Sequence, residues 1–376
     1  MKRLHTFPWI ELIVLTIGTI LALAIRLSLL SFESADYHLF FRDWYQAMRE
    51  HGLSAIVSLK YDYTPTYLYL LYWMSALFPK LDPVAAIKLP SIAFDFLSAY
   101  IIFRIVRLKY QHGPAPIFAY FIVLFAPTTV LNSAFWGQSD SIYTAFLLLC
   151  VYFLLTNDGA FAGLAFGVAL AFKLQAIFLA PLLLALVIKG RLAWKHLLWI
   201  PLIYLILIIP AWAAGRPLVE LLKIYLDQSR SYPLLTLNAP TLYAWLPASL
   251  YIVLYPAGVI WAVSQVFLYI LAVFKSRANL SQGLILNLGI LAVLLVPFIL
   301  PKMHERYFYP ADLLSIAFGF FFPGYFFIPI VMGLISFFAY QPFLFGQMLV
   351  PLEFLSVGVL VILVLVTHKA IRSLYL

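Results

Sequence analysis

Apolar residues fall in long blocks along the chain, separated by short polar turns. Blocks of ~18 residues or more read as membrane-spanning helices, because a hydrocarbon core ~30 Å thick takes ~20 helical residues to cross. The pattern predicts spans at 9–31, 84–106, 115–134, 141–156, 160–177, 177–190, 195–214, 250–273, 282–300, 307–322, 325–340 and 346–367, about twelve in all. Pro65–Phe78 is apolar too, but it is short for a span and rich in Tyr and Trp, which favour the membrane interface. It is predicted to be a re-entrant helix inside the first external loop.

Composition agrees with this pattern. Of 376 residues, 65% are hydrophobic and 10% charged, whereas soluble domains carry ~25% charged residues. A soluble globular fold is therefore excluded, and an all-α polytopic membrane protein is expected. The net charge of +9 does not form a stripe that would suit nucleic acid. Lys2 and Arg3, then Arg104, Arg107 and Lys109, then Lys189, Arg191 and Lys195, then Lys275 and Arg277, and finally Lys369 and Arg372 all fall on one side of the predicted spans, with Asp158 as their acidic companion. The positive-inside rule puts that side and both termini in the cytoplasm. The first apolar run, Trp9 to Phe32, is taken as a span rather than a cleaved leader. Cys150 is the single cysteine, so no intrachain disulfide can form.

Acidic residues collect on the opposite side: Glu33, Asp36, Asp43, Glu50, Asp62, Asp82, Asp140, Glu220, Asp227 and Glu305. Acids weigh little in orienting a helix, so their segregation points to a functional surface facing outward. Asp36 and Asp43 lie seven apart among aromatics, where a partly desolvated carboxylate suits a general base; a solvated face of a surface helix explains them as well. Asp140, after Trp136-Gly137-Gln138, fits either a helix start or a site. Lys173 and Gln175 interrupt a long apolar stretch, and Lys173 reads as a snorkelling lysine or a phosphate ligand. The densest cluster is Pro301-Lys302-Met303-His304-Glu305-Arg306-Tyr307-Phe308-Tyr309-Pro310. Arg with His and Tyr makes a phosphate clamp, the alternative being a plain Glu305–Arg306 ion pair. Asp95 and Glu11 sit within spans and must pair or face a cavity. No spacing supports a metal site.

In order along the chain, Asp36-Tyr37 with Trp44, Tyr63-Thr64-Pro65, Trp136-Gly137-Gln138-Ser139-Asp140, Phe172-Lys173-Leu174-Gln175 ending at Pro181, and His304-Glu305-Arg306-Tyr307 resemble the GT-C integral-membrane glycosyltransferases. The likeness is greatest to bacterial relatives of the GPI-anchor second mannosyltransferase and of the dolichyl-phosphate glucosyltransferases of N-glycan assembly. It runs from residue 9 to about 310, with Thr64-Pro65 where the family often has two prolines.

The resemblance implies a single glycosyltransferase domain over 1–376. Its catalytic module would be 1–214 with external loop 32–83, followed by external loop 215–249 and C-terminal helices 250–376. It implies inverting transfer of a hexose, mannose favoured, from a polyprenyl-phosphate-linked monosaccharide to a hydroxyl of a lipid-linked, glycan or protein acceptor outside a prokaryotic cell membrane. Asp36 matches the base, with Asp43 as the alternative. Lys173, His304 and Arg306 would hold the donor phosphate, helped by Gln175 and Tyr309, while Asp140, Gln138 and Glu305 would align substrate. Some relatives use a divalent ion such as Mg or Mn and others none, so no metal is assigned. Residues 215–249 would cover the cavity, with Tyr225, Tyr232, Tyr243 and Trp245 stacking on sugar or anchoring at the interface. A transporter is the competing class, and it would put its cavity at the midplane beside Asp95 and Glu11.

Overall fold

The computed structural model describes residues 8–61 and 63–376; Lys2, Arg3 and Asp62 lie outside the described residues. The chain is helical apart from one short two-stranded ladder. Helix α1 (Pro8–Ser28) leads into an external segment holding α2 (Arg42–His51) and α3 (Pro65–Leu77). Then come α4 (Pro83–Lys109), α5 (Ala115–Phe125), α6 (Asp140–Leu155), α7 (Gly159–Phe172), α8 (Ala180–Ile188) and α9 (Trp199–Ala213). After the external α10 (Leu218–Arg230) follow α11 (Tyr251–Lys275), α12 (Gln282–Ile299), α13 (Tyr309–Phe321), α14 (Phe327–Phe345) and α15 (Leu352–Tyr375).

Seven described helices (α1, α4, α9, α11, α12, α14 and α15, three of them with a leading turn) are long and apolar enough to cross a membrane. The chain is thus an integral membrane protein. An eighth span forms if α5 is joined to Pro127–Trp136, from which it is bent by 47°. The bend has a local cause: Ala126 precedes Pro127, and a pre-proline residue is pushed to the extended backbone it adopts here.

That count is lower than the expected twelve. Four further apolar helices, α6, α7, Leu174–Ile188 and α13, are too short to cross alone. Each stops at a polar break. Asp140 opens α6, Lys173 separates α7 from Leu174, and the segment 302–307 precedes α13.

The basic turns gather at the other end of these helices. Lys109 Nζ donates to the Phe321 carbonyl at 2.6 Å, Lys189 Nζ to the Ser276 carbonyl, and Lys369 lies over the Phe322 ring. Apolar side chains of α1 and α11, such as Ile17, Ile20, Ile260 and Phe267, are exposed, as lipid-facing positions should be.

The first external segment has its own core. Tyr37, Phe41, Trp44 and Met48 pack with Tyr67, Leu68 and Leu71 of α3 and reach Ile208 and Ala211 of α9. Within the spans, Arg26 Nε meets Asp95 Oδ2 at 2.8 Å with both side chains fully buried. Asp95 therefore pairs rather than facing a cavity. It also accepts from Ser133 at 2.5 Å and Tyr309 at 3.3 Å.

Candidate functional site

A cavity of about 450 Å³ opens where the short helices end. Its walls come from stretches remote in sequence: Asp36 and Trp44, Tyr63, Gln138, Lys173 to Gln175, Gln228 to Ser229, Ser231 to Tyr232, and Leu300 to Tyr307. Tyr255 and Val259 of α11 and Phe343 of α14 close it on the apolar side.

Asp36 is buried, 7% exposed. Trp136 Nε1 donates to its Oδ2 at 2.8 Å, and Gln138 Nε2 donates to the same oxygen. Both donors flank Gly137, which holds φ +83°, a left-handed turn that side chains resist. An added Cβ there would meet Lys88 Cγ at 3.3 Å. The turn is thus built to aim an indole and an amide at one carboxylate. The two bonds fix the position of that carboxylate. Gln138 is fixed in turn by Tyr63, whose hydroxyl donates to Gln138 Oε1 at 3.3 Å.

Lys173 Nζ meets Asp140 Oδ1 at 2.5 Å and lies 5.2 Å from the centre of the Tyr63 ring. Asp140 does not cap its helix; Asn132 Nδ2 donates to its Oδ2 at 3.0 Å, and Arg306 Nε stands 3.7 Å from the same atom. Asp140 is fully buried and sits behind the cavity wall, holding the two cations that face inward. Arg306 also lies over the Trp136 ring, 5.2 Å from its centre. Its Nη1 donates to Glu305 Oε1 at 3.0 Å, so the plain ion pair forms, but inside the cavity and 2% exposed at Glu305.

Burial pushes the Glu305 carboxyl up to about 7, with Arg306 opposing and Asp36 adding to the rise. Burial, then Arg306 and Lys173, hold His304 well below its ordinary value, so its imidazole is neutral at pH 7. His304 can offer a phosphate a hydrogen bond, not a charge.

The polar segment is pinned by the ladder: β1 (Thr236–Leu237) pairs in parallel with β2 (Met303–His304), Lys302 N donates to Leu235 O, and Glu305 N to Leu237 O. Tyr232, Asn238 and Lys302 line the cavity with φ of +53°, +55° and +68°, the strained backbone that concentrates at functional sites.

The expected residues separate clearly. Asp36, Gln138, Lys173, Gln175, His304, Glu305 and Arg306 line the cavity. Asp43 does not. It is exposed on α2 beside Arg42, at 3.5 Å, outside the cavity that Asp36 lines. Tyr309 does not line the cavity either, since its hydroxyl is committed to Asp95. Of the four aromatics expected over the site, Tyr232 lines it, Tyr225 and Tyr243 bond to the carbonyls of Leu170 and Ile299, and Trp245 is exposed. Neither Asp95 nor Glu11 lines this cavity. Gln228, Asn238 and Tyr255 do line it, and nothing in their sequence surroundings marked them.

Among the described residues no three His, Cys, Asp or Glu side chains are grouped as a metal would need. The two acids of the cavity are engaged by Trp136, Gln138 and Arg306.

No curated protein matches the chain. Over residues 62–213, less than half its length, the chain is similar to the family described as dolichyl-phosphate-mannose-protein mannosyltransferase, a stretch that contains Tyr63, Gln138, Asp140 and Lys173 and stops short of Asp36 and the 302–307 segment.

Proposed function

We propose that the protein is an inverting GT-C-type glycosyltransferase. It moves a hexose, mannose favoured, from a polyprenyl-phosphate donor to an acceptor hydroxyl on the extracytoplasmic side, with both termini cytoplasmic. The observation that carries the reading is the shared cavity, lined by a carboxylate held by two donors and by Lys173, His304 and Arg306. Likeness to a mannosyltransferase family over residues 62–213 supports the choice of sugar and lipid donor.

In the reaction, Lys173 and Arg306 neutralise the phosphate and His304 donates a hydrogen bond to it. Asp36 takes the proton of the acceptor hydroxyl through Oδ1, which has no hydrogen bond to the described residues. The acceptor oxygen forms its bond to the anomeric carbon from the face opposite the phosphate. The anomeric carbon–phosphate oxygen bond breaks, and its electron pair leaves with the phosphate. Tyr255, Val259 and Phe343 give the cavity an apolar flank that suits a lipid tail.

The test is transfer of radiolabelled sugar from polyprenyl-phosphate-mannose in proteoliposomes holding an extract of lipid acceptors. Turnover that vanishes in Asp36→Asn supports the reading; full turnover in that variant refutes it.

A further inference from the structure

The cavity's charges do not balance in favour of an anion. Lys173 and Arg306 stand among Asp36 and Glu305 on the wall and Asp140 behind it, two cations against three carboxylates. Lys302, the one further cation on the wall among the described residues, is turned to the Ser229 carbonyl at 2.8 Å, and His304 stands 4.0 Å from Glu305. With all three carboxylates ionised, a phosphodiester would enter a cluster that is neutral at best.

The carboxylates are not equivalent. Asp140 is held by Lys173 and Asn132, and Asp36 by Trp136 and Gln138. Glu305 has Arg306 as its one side-chain hydrogen-bond partner among the described residues, the guanidinium that a phosphate would use. A phosphate oxygen and the Glu305 carboxylate would then compete for the same fork, and two anions at hydrogen-bond distance share a proton.

We propose that Glu305 is the proton-carrying residue of the phosphate site: a phosphodiester seats on Arg306 with Glu305 as the neutral acid, so a donor that binds while this carboxyl is ionised takes up one proton from solvent. The acid's O–H then donates to a phosphate oxygen instead of opposing it. Burial raises this carboxyl to about 7, so the proton is available near neutral pH. The groups that face Glu305 are Arg306, His304 and Asp36, with Lys173 and Asp140 reached through Arg306. This inference rests on the proposed donor chemistry.

The probe must not titrate itself, which excludes phosphate monoesters, whose second ionisation lies near ~6. Polyprenyl-phospho-mannose is a diester with a constant single charge. Its binding to the whole protein in nanodiscs is followed by calorimetry between pH 5.5 and 9, in buffers of different ionisation enthalpy. A short-chain dialkyl phosphate tests the headgroup chemistry alone.

Affinity should be flat below pH ~7 and weaken by about tenfold per unit above it, with close to one proton taken up there. Glu305→Gln, a neutral donor of the same shape, should lose both the slope and the uptake and keep the acid-side affinity at high pH. His304→Gln and Asp36→Asn should retain the uptake. No uptake by the wild type, an unchanged slope in Glu305→Gln, or uptake lost with His304 or Asp36 overturns the proposal while leaving a phosphate site in place. Absence of diester binding at any pH overturns the transferase reading along with it. The wild-type uptake and the other two variants decide the matter even if Glu305→Gln fails to fold.

Discussion

Replacing Asp95 by Leu would strip a buried guanidinium of its counter-charge. Arg26 and Asp95 are both 0% exposed, and their 2.8 Å contact is joined by bonds from Ser133 at 2.5 Å and Tyr309 at 3.3 Å. Arg26 keeps its bonds to the carbonyls of Ala22 at 3.2 Å and Leu124 at 3.0 Å, which satisfy hydrogens but not charge. Removing one partner of such a pair costs ~3–5 kcal/mol, whereas replacing both by apolar residues is commonly neutral or better. Arg26→Met with Asp95→Leu should therefore recover most of the loss. Ser133 retains a bond to the Thr129 carbonyl at 3.1 Å, so the remaining deficit is the Tyr309 hydroxyl, ~1–3 kcal/mol. Reversible unfolding in bicelles measures all three proteins. A single variant within ~1 kcal/mol of the wild type, or a double no more stable than the single, would refute the reasoning. The same knot joins both walls of the cavity. Ser133 lies three residues before Trp136 and Tyr309 three after Arg306, so activity in Asp95→Leu should fall at temperatures where the protein is still folded.

Asp36→Asn should lower turnover by roughly 10²–10⁴-fold, the usual share of a general base, while exposed Asp43→Asn stays within about twofold; radiolabel transfer reads both, and the reverse ranking would move the base to α2. Lys173→Ala and Arg306→Ala should each weaken donor binding by about 10- to 150-fold, the equivalent of ~1.5–3 kcal/mol for a charge-assisted bond, measured by calorimetry; unchanged affinity in both would remove the phosphate clamp. Gly137→Ala should cost ~1–2 kcal/mol for its left-handed backbone and reduce turnover more than donor affinity, because it shifts Trp136 and Gln138 off Asp36; equal loss in both quantities would show a general packing defect.

Much of the site was legible because ionisable residues beside apolar spans are costly and so stand out. Lys173, His304 and Arg306 were found that way, and Asp36 through its aromatic surroundings. Partnership was not legible. Asp140 resembled a helix start, and its two cations lie 33 and 166 positions along the chain. Tyr309 looked like part of the basic cluster, but one helical turn carries it away from the cavity and onto Asp95. Helix length misled for a different reason: short apolar blocks such as 160–177 and 177–190 were counted as spans, yet α7 and Leu174–Ile188 meet at Lys173 and neither is long enough to cross alone. The strap that pairs with Met303 and His304 carries no strand signal, since two paired residues are below any periodicity.

The short helices also decide how far a lipid must travel. At 1.5 Å per residue, the 13 to 16 residues of α13, α7 and α6 rise about 20–24 Å, against a hydrocarbon core of ~30 Å. They are therefore roughly 6–10 Å shorter than the hydrocarbon core they would have to cross. A prenyl phosphate lifted by that much would bring several carbons into water at ~0.8 kcal/mol each. For the proposed lipid donor, a floor recessed by that shortfall would remove that cost, because the headgroup would meet its cations at the depth where its tail already holds it. A water-facing acceptor would then make the longer journey, into a well sunk in the bilayer rather than onto a platform above it.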